Sequence, residues 1–174
     1  MKEALKSAGT IERILFVCTG NICRSPMAEG LMRERLRQEG GPDISVSSAG
    51  IFASPGNAPD PFAVHVAREA GIDISGHRAR VVNNHNLSLA DVVLVMESGQ
   101  KGFISLTFPQ QSAKVSLLGH FSPSPRPEGG EIADPYGSSL EAYRACFEEI
   151  RESIDGLMQF LASCSTAKDR RAGW

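Results

Sequence analysis

The stretch VCTGNICRSP, residues 17–26, decides the fold of this chain. An apolar run at 14–17 leads into it and predicts a short buried β-strand. Residues 27–36 follow it and predict a helix, and Pro26 suits the first turn because its φ is fixed and it has no N–H. The stretch therefore predicts a loop that joins the carboxyl end of a strand to the beginning of a helix.

A loop in this position can hold an anion. Gly20 and Asn21 tolerate left-handed backbone conformations, so successive N–H groups can turn inward as a nest. The helix N-terminus adds unpaired N–H donors, and the guanidinium of Arg24 matches two phosphate oxygens. The sequence thus predicts a phosphate-binding loop that consists of Thr19, Gly20, Asn21, Ile22, Cys23 and Arg24.

Cys18 precedes this loop and is the candidate nucleophile. Cysteines beside a helix N-terminus and a cation ionise at about pH 3.5–7.5, whereas a free thiol ionises near about 8.5. We therefore expect a thiolate at Cys18, with the Ser25 hydroxyl donating to its sulfur. A buried cysteine near an unrelated surface arginine is the alternative, but the Cys-x5-Arg-Ser-Pro spacing favours a nucleophile. A nucleotide P-loop is disfavoured because Gly-Lys-Ser/Thr is absent.

The segment from Cys18 to Pro26 resembles the signature of the low-molecular-weight protein tyrosine phosphatases, in particular their bacterial branch. The resemblance of the chain to this family extends over about residues 12–162. The resemblance implies a phosphotyrosine-protein phosphatase that forms a phosphocysteine at Cys18 and uses neither a metal nor a cofactor. Residues 132–137 resemble the acid loop of that family, which implies that Asp134 protonates the leaving phenol. The implied catalytic set is Cys18, Arg24 and Asp134.

The same resemblance implies supporting roles for residues outside the loop. Ser48 would support the phosphate loop, and His77 would position Asn21 rather than act as a general base. Phe52 is the nearest aromatic residue in a loop that lacks tryptophan, and it would form one wall of the substrate crevice. Tyr136 would flank a flat substrate ring on the other side.

Length and element order predict one α/β domain. The chain has 174 residues, enough for one substantial core. Four predicted strands alternate with helices, which indicates a four-stranded parallel sheet flanked by helices on both sides, a doubly wound fold. Residues 12–162 would form the phosphatase domain, 1–11 a flexible leader and 163–174 a polar C-terminal tail. Asp60 before Pro61 is interpreted as a helix N-cap, although an acid role stays open.

Composition limits the partners and the compartment. The net charge is −2, which implies neither a nucleic-acid nor a membrane partner, and no apolar stretch reaches the length of a membrane span. The four cysteines fit neither a zinc nor a disulfide pattern, so a reducing, cytoplasmic location is expected. Cys23 adjoins the nucleophile and is either its redox partner under peroxide or a small buried residue.

Three alternative functions remain to be weighed. The first is a protein arginine phosphatase, which uses the same scaffold. The resemblance implies that arginine phosphatases have a threonine at the position of Ile22. Because Ile22 is bulky, it favours an aryl phosphate as substrate. The run Asp-Pro-Tyr-Gly-Ser nevertheless resembles the bacterial branch that contains arginine phosphatases. Arsenate reductase is disfavoured because no cysteine lies between Cys23 and Cys146. A non-catalytic phosphate-binding module is disfavoured because the implied catalytic set is complete.

The expected partners follow from these assignments. The substrate would be a phosphotyrosine-bearing protein, and a bacterial tyrosine kinase is one such candidate. Inorganic phosphate and other oxyanions would bind as product or inhibitor.

Overall fold

A computed structural model describes residues 11–39, 43–124 and 127–169. Its strands are β1 (Arg13–Cys18), β2 (Ser45–Gly50), β3 (Val92–Val95) and β4 (Val115–Leu117). Its α-helices are α1 (Arg24–Glu39), α2 (Pro61–Glu69), α3 (Asn84–Leu89), α4 (Ser98–Thr107) and α5 (Leu140–Asp169). Short 3-10 turns occupy Pro109–Lys114, Leu118–Phe121 and Pro127–Gly130.

The four strands form one parallel sheet in the order β2-β1-β3-β4. This confirms the predicted four-stranded doubly wound fold. The strand order reverses beside β1, and in open α/β sheets ligands bind at such a switch point, beyond the carboxyl ends of the strands. Cys18 is the last residue of β1 and pairs in register with Gly50 at the end of β2. The candidate nucleophile therefore lies at the edge where this fold class places its ligands.

Alternate residues of β1 face opposite sides of the sheet and enter two separate cores. Ile14 and Phe16 pack in the cluster that includes α1, α2 and α5. Leu15 and Val17 pack in the smaller cluster on the other face, which includes residues of α3 and α4. Because both faces of β1 are covered, its apolar residues run almost without interruption, as parallel strands in such folds do.

Several element boundaries differ from those expected. The last helix continues to Asp169, so residues 163–169 of the predicted polar tail are helical, and the predicted boundary at 162 falls inside α5. The predicted leader lies almost wholly outside the described residues, as does the segment 170–174. The sequence did not predict α3, whose six residues are stabilised at the N-terminus by a capping box between Asn83 and Asn86.

Asp60 is the N-cap of α2, as interpreted, because its carboxylate accepts a hydrogen bond from the Phe62 amide at 2.8 Å. Pro61 occupies the first position of that helix. Among the described residues, none of the helices is long and apolar enough to cross a membrane.

Candidate active site

The sulfur of Cys18 lies at the centre of the predicted loop. It is 3.0 Å from the Ser25 hydroxyl and accepts a hydrogen bond from the Asn21 amide at 3.3 Å. Cys18 and Ser25 are both buried, at the end of β1 and the beginning of α1. The predicted contact between Ser25 and the nucleophile is therefore present in the structure.

Asn21 fixes the shape of the loop. Its φ is 55°, the one positive φ among the described residues other than glycine. Its side-chain nitrogen donates to the hydroxyls of Ser25 and Ser48, both at 2.9 Å, and its side-chain oxygen accepts from the Arg80 amide at 2.9 Å. Of the two loop residues that tolerate a left-handed backbone, Asn21 adopts it and Gly20 does not. Asparagine tolerates this conformation, and its buried contacts hold it there.

Gly50 allows β2 to approach the loop closely. A Cβ at this position would lie 2.6 Å from the Thr19 carbonyl oxygen and 2.8 Å from the Asn21 nitrogen. Both of these atoms belong to the loop backbone, which cannot yield as a flexible side chain can. Glycine is therefore required here by the shape of the phosphate loop itself.

His77 and Ser48 lie behind the loop, and both contact Asn21. His77 Nε2 is 3.0 Å from the backbone oxygen of Asn21, so that ring nitrogen donates the hydrogen bond. Burial lowers the pKa of His77, although the Asn21 carbonyl and the nearby Glu29 act in the opposite direction. A neutral imidazole bound to a loop carbonyl suits a positioning role.

Arg24 lies at the other end of the loop and is almost fully buried, with 1% of its side chain exposed. One terminal nitrogen contacts the Ile132 carbonyl at 3.0 Å and Glu97 at 2.9 Å, and the other contacts Asp134 at 2.5 Å. Burial opposes its charge, but Asp134, Cys18 and Glu97 outweigh burial and raise the pKa of Arg24. Its Nε is the one buried side-chain nitrogen or oxygen without a partner in the described residues.

Sequence reasoning missed two residues that hold this arrangement. Glu97 lies two residues beyond the end of β3 and pairs with Arg24. Gln100, only 2% exposed, donates to Thr19 Oγ1 at 3.3 Å and to Glu97 at 2.7 Å. The position of Glu97 at the carboxyl end of a parallel strand was the available signal. Gln100 carries no such signal, because its contact with the loop spans 81 residues of sequence.

A pocket of about 280 Å³ opens over the loop and is lined by Cys18, Arg24 and Asp134, whereas the predicted supporting residues Ser25, Ser48 and His77 do not line it. Phe52 and Tyr136 line it with 68% and 65% of their surfaces exposed, so they form part of its rim. Phe52 packs edge-on against Phe103, with ring centroids 5.3 Å apart. The lining residues are Cys18, Thr19, Gly20, Ile22, Cys23, Arg24, Phe52, Ser54, Asn57, Asp134 and Tyr136.

Cys23 is buried and its sulfur lies 3.3 Å from the hydroxyl of Tyr143 on α5. Burial is the main cause that raises the pKa of Cys23 to about 12. All four cysteines are free thiols. In the described part of the chain, no group of three or more His, Cys, Asp or Glu side chains is arranged to hold a metal ion.

Comparison with known proteins identifies relatives over most of the chain. The family described as low molecular weight phosphotyrosine protein phosphatase matches residues 13–167. The chain is 43% identical over 145 residues to a probable low molecular weight protein-tyrosine-phosphatase, EpsP, of Ralstonia nicotianae, covering 83% of this chain and 92% of that relative. It is 40% identical over 149 residues to a protein-arginine-phosphatase of Geobacillus stearothermophilus, covering 86% of this chain and 95% of that relative.

A solved structure agrees with these relatives. The tyrosine phosphatase Wzb from Escherichia coli K30, crystallised with sulphate, matches with a TM-score of 0.79 and 32% identity, covering 87% of this chain and 99% of that chain. The family match and these relatives place the chain among the protein phosphatases. Within that class, the chain belongs to the low molecular weight phosphotyrosine protein phosphatase family.

Proposed function

We propose that this chain hydrolyses protein phosphotyrosine to tyrosine and phosphate through a phosphocysteine at Cys18. The observation that carries the proposal is that Cys18, Arg24 and Asp134 line one pocket, with the sulfur 3.0 Å from the Ser25 hydroxyl and accepting a hydrogen bond from the Asn21 amide. A nucleophile, a cation and a proton donor are the groups that phosphate-monoester hydrolysis needs.

The reaction has two steps. The Cys18 thiolate attacks phosphorus in line, so that an S–P bond forms as the P–O bond to the phenol breaks, and Asp134 gives its proton to the departing oxygen. Asp134 then takes a proton from the water that hydrolyses the phosphocysteine, which releases phosphate and restores the thiolate. Arg24 and the loop amides of residues 19–24 bind the phosphoryl oxygens throughout.

The unpartnered Nε of Arg24 supports the binding of a tetrahedral anion. It leaves a donor for a phosphoryl oxygen, and the guanidinium fork lets Nε and a terminal nitrogen bind two oxygens at once. An incoming phosphate dianion competes with Asp134 for that terminal nitrogen and releases the carboxyl group for proton transfer. The sulphate named for the Wzb structure is an anion of the same shape.

The apolar side chains of the pocket favour an aromatic leaving group. Ile22 lines the pocket together with the exposed rings of Phe52 and Tyr136, which can stack on a phenyl ring. Phosphoarginine hydrolysis is the alternative, because relatives named for the two activities are 43% and 40% identical to this chain. These two sequence identities are too close to distinguish the two activities, whereas Ile22 in the pocket favours phosphotyrosine.

The deciding experiment compares kcat/KM on matched phosphotyrosine and phosphoarginine peptides. We expect wild type to prefer phosphotyrosine by at least about 10-fold, and Ile22→Thr to reduce that preference by about 10-fold, the usual scale for a small change in an apolar pocket. Leu106→Thr, an exposed residue outside the pocket, is the matched control and should leave the ratio unchanged. A wild-type preference for phosphoarginine would establish the alternative.

We also propose the setting of this reaction. The enzyme acts in the cytoplasm on phosphotyrosine-bearing proteins, among them a bacterial tyrosine kinase. Inorganic phosphate and similar oxyanions inhibit it competitively because they occupy the same loop. One assay tests the kinase as substrate and phosphate as inhibitor: the release of phosphate from an autophosphorylated tyrosine kinase domain is measured at increasing concentrations of inorganic phosphate.

A further inference from the structure

Glu131 directly precedes the acid loop, residues 132–137, and connects it to the beginning of α4. One of its carboxylate oxygens accepts hydrogen bonds from both the amide and the hydroxyl of Ser98, the first residue of α4, and the amide nitrogen is 2.8 Å away. Glu131 does not line the substrate pocket. The proposed chemistry gives it no role, although it lies only three residues before Asp134.

The contact between Glu131 and Ser98 is a pair of hydrogen bonds to a charged group. The side chain and then the amide of Ser98 lower the pKa of Glu131, and desolvation opposes them only in part. The N-terminus of a helix also favours a negative charge, and α4 begins at Ser98. An ionised carboxylate only accepts hydrogen bonds, and both groups of Ser98 can donate. Two charge-assisted hydrogen bonds therefore join the acid loop to α4.

The segment that Glu131 contacts is itself held in place. The amides of Met96 and Glu97 both donate to the side-chain oxygen of Gln100, at 2.9 and 3.2 Å, and Gln100 is only 2% exposed. The Met96 carbonyl also accepts a hydrogen bond from the Ile132 amide at 2.9 Å. The acid loop is thus joined twice to the segment after β3, once through the backbone of Ile132 and once through the side chain of Glu131.

This attachment matters most when substrate is bound. Asp134 contacts Arg24 at 2.5 Å, and an incoming phosphate competes for that nitrogen. The Asp134 side chain is 40% exposed, so burial does little to fix it. Its Oδ1 also accepts a hydrogen bond from the Tyr136 amide at 3.2 Å, but that contact lies within the acid loop. Once phosphate has taken the place of Asp134 on Arg24, the position of its carboxyl group depends on how the loop backbone is attached.

We infer that Glu131 is a positioning residue, which holds the acid loop through Ser98 so that Asp134 can protonate the leaving group while phosphate occupies Arg24. The inference rests on the proposed role of Asp134 as proton donor. Helix capping alone is the competing explanation, in which Glu131 only stabilises the N-terminus of α4. The leaving group distinguishes the two, because a misplaced acid slows only the departure of a group that needs a proton.

The experiment measures kcat and KM on a phosphotyrosine peptide and on nitrophenyl phosphate, whose leaving group departs readily as an anion. Glu131→Met keeps the length of the side chain but removes the carboxylate oxygens. Its kcat should fall about 10-fold on the peptide and less than about 2-fold on nitrophenyl phosphate, with KM within about 2-fold of wild type. Glu131→Gln keeps an acceptor oxygen and should recover most of the loss. Because neither variant carries the charge, their difference measures hydrogen-bond acceptance.

Asp91→Leu is the matched control. The Asp91 carboxylate also accepts two hydrogen bonds, from the amides of Glu12 and Arg13, both at 2.8 Å. It lies at the amino ends of β1 and β3, the edge of the sheet opposite to the candidate active site. Asp91→Leu should lower the unfolding temperature, as the loss of such hydrogen bonds does, but leave the ratio of the two kcat values unchanged.

Ser98→Pro provides a second test that does not depend on how well Glu131→Met folds. It removes both donors of the contact, and proline suits the position because Ser98 is the first residue of α4. Glu97 before it already has the extended backbone that a following proline favours, with φ −139° and ψ 152°. Ser98→Pro should also slow the peptide about 10-fold and nitrophenyl phosphate little, and adding Glu131→Met should slow the peptide little further.

Asp134→Asn, measured alongside, separates failure of this inference from failure of the proposed function. The inference is overturned if Asp134→Asn slows the peptide selectively but Glu131→Met or Ser98→Pro does not. It is also overturned if Glu131→Gln loses as much activity as Glu131→Met. A wild type that does not turn over phosphotyrosine, or an Asp134→Asn variant equally slow on both substrates, would overturn the proposed function and this inference with it.

Discussion

Replacing Asp134 by Asn separates proton donation from the positioning of Arg24. Asparagine has the same shape and keeps an oxygen for the Arg24 nitrogen that now lies 2.5 Å from the carboxylate, but it has no proton to give. The Asp134 side chain is 40% exposed, so we expect the free energy of unfolding to change by about 1 kcal/mol or less. Any large loss of activity must then come from the chemistry.

The expected loss depends on the leaving group. Tyrosine leaves as a phenol with a pKa of about 10, so its departure needs a proton, and kcat for a phosphotyrosine peptide should fall by about 10²–10⁴. That range corresponds to about 2.7–5.4 kcal/mol of transition-state stabilisation. A nitrophenyl phosphate, whose leaving group departs readily as an anion, should lose much less. The assay is kcat for both substrates in wild type and variant, with thermal unfolding measured alongside.

Glu97→Gln is the control for the loss of a negatively charged partner of Arg24. Glu97 also pairs with Arg24, at 2.9 Å, and its side chain is exposed to a similar degree, but it has no proposed proton-transfer role. It should cost less than about 10-fold in kcat, and by the same factor for both substrates. If Asp134→Asn were equally slow on both leaving groups, or no slower than Glu97→Gln, the assignment of Asp134 as general acid would be refuted.

Three further predictions concern the loop and its cysteines. Gly50→Ala should lower the free energy of unfolding by about 1–3 kcal/mol and slow turnover, because its Cβ would overlap loop backbone, whereas Gly99→Ala, in open space, should do neither; urea titration and kcat measure this. Burial raises the pKa of Cys23 to about 12, whereas the same thiol in the unfolded chain has a pKa near 9.0. The unfolded state therefore loses this proton first, and the free energy of unfolding should fall as pH rises above about 9, by about 1 kcal/mol at pH 10. This decline should be smaller in Cys23→Ala, and equal pH dependence in both proteins would contradict it. Peroxide should oxidise Cys18 to a sulfenic acid, which condenses with the Cys23 thiol, releasing water and forming a disulfide. Mass spectrometry that found no Cys18–Cys23 link after peroxide treatment would contradict this pairing.

The local part of the site could be predicted from sequence because its residues are close along the chain. Strand, loop and helix occupy residues 13–39 without interruption, and the contact between Cys18 and Ser25 spans only seven positions. Asn21 in a loop between two regular elements indicated a left-handed turn, and the structure has one. The parallel sheet followed from four apolar runs separated by helices, since few topologies satisfy that order.

The remaining part depends on tertiary contacts that no local pattern encodes. Arg24 contacts Asp134 across 110 residues, and Gln100 contacts Thr19 across 81. Glu29 looks like an ordinary helix residue until β2 brings Ser48 to it. The end of α5 was placed too early because its last residues are polar and carry no apolar period, although they continue the helix.

The α3 helix was missed for a related physical reason. It has one buried residue, Leu87, and six residues in all, so it offers no amphipathic pattern to detect. The Asn83 side-chain oxygen accepts a hydrogen bond from the Asn86 amide, and the Asn86 side-chain oxygen accepts one from the Asn83 amide. Capping of this kind is visible in sequence only where an apolar run follows it, and here none does.

The most direct test of the central claim is to trap the phosphorylated enzyme. Wild type is mixed with a ³²P-labelled phosphotyrosine peptide, quenched within one turnover, digested and examined by mass spectrometry. The account predicts a phosphoryl group on the sulfur of Cys18, formed at the rate at which tyrosine is released, and no phosphorylated peptide from this position in Cys18→Ala. Release of tyrosine and phosphate together, with no phosphorylated Cys18 peptide at any time, would contradict it.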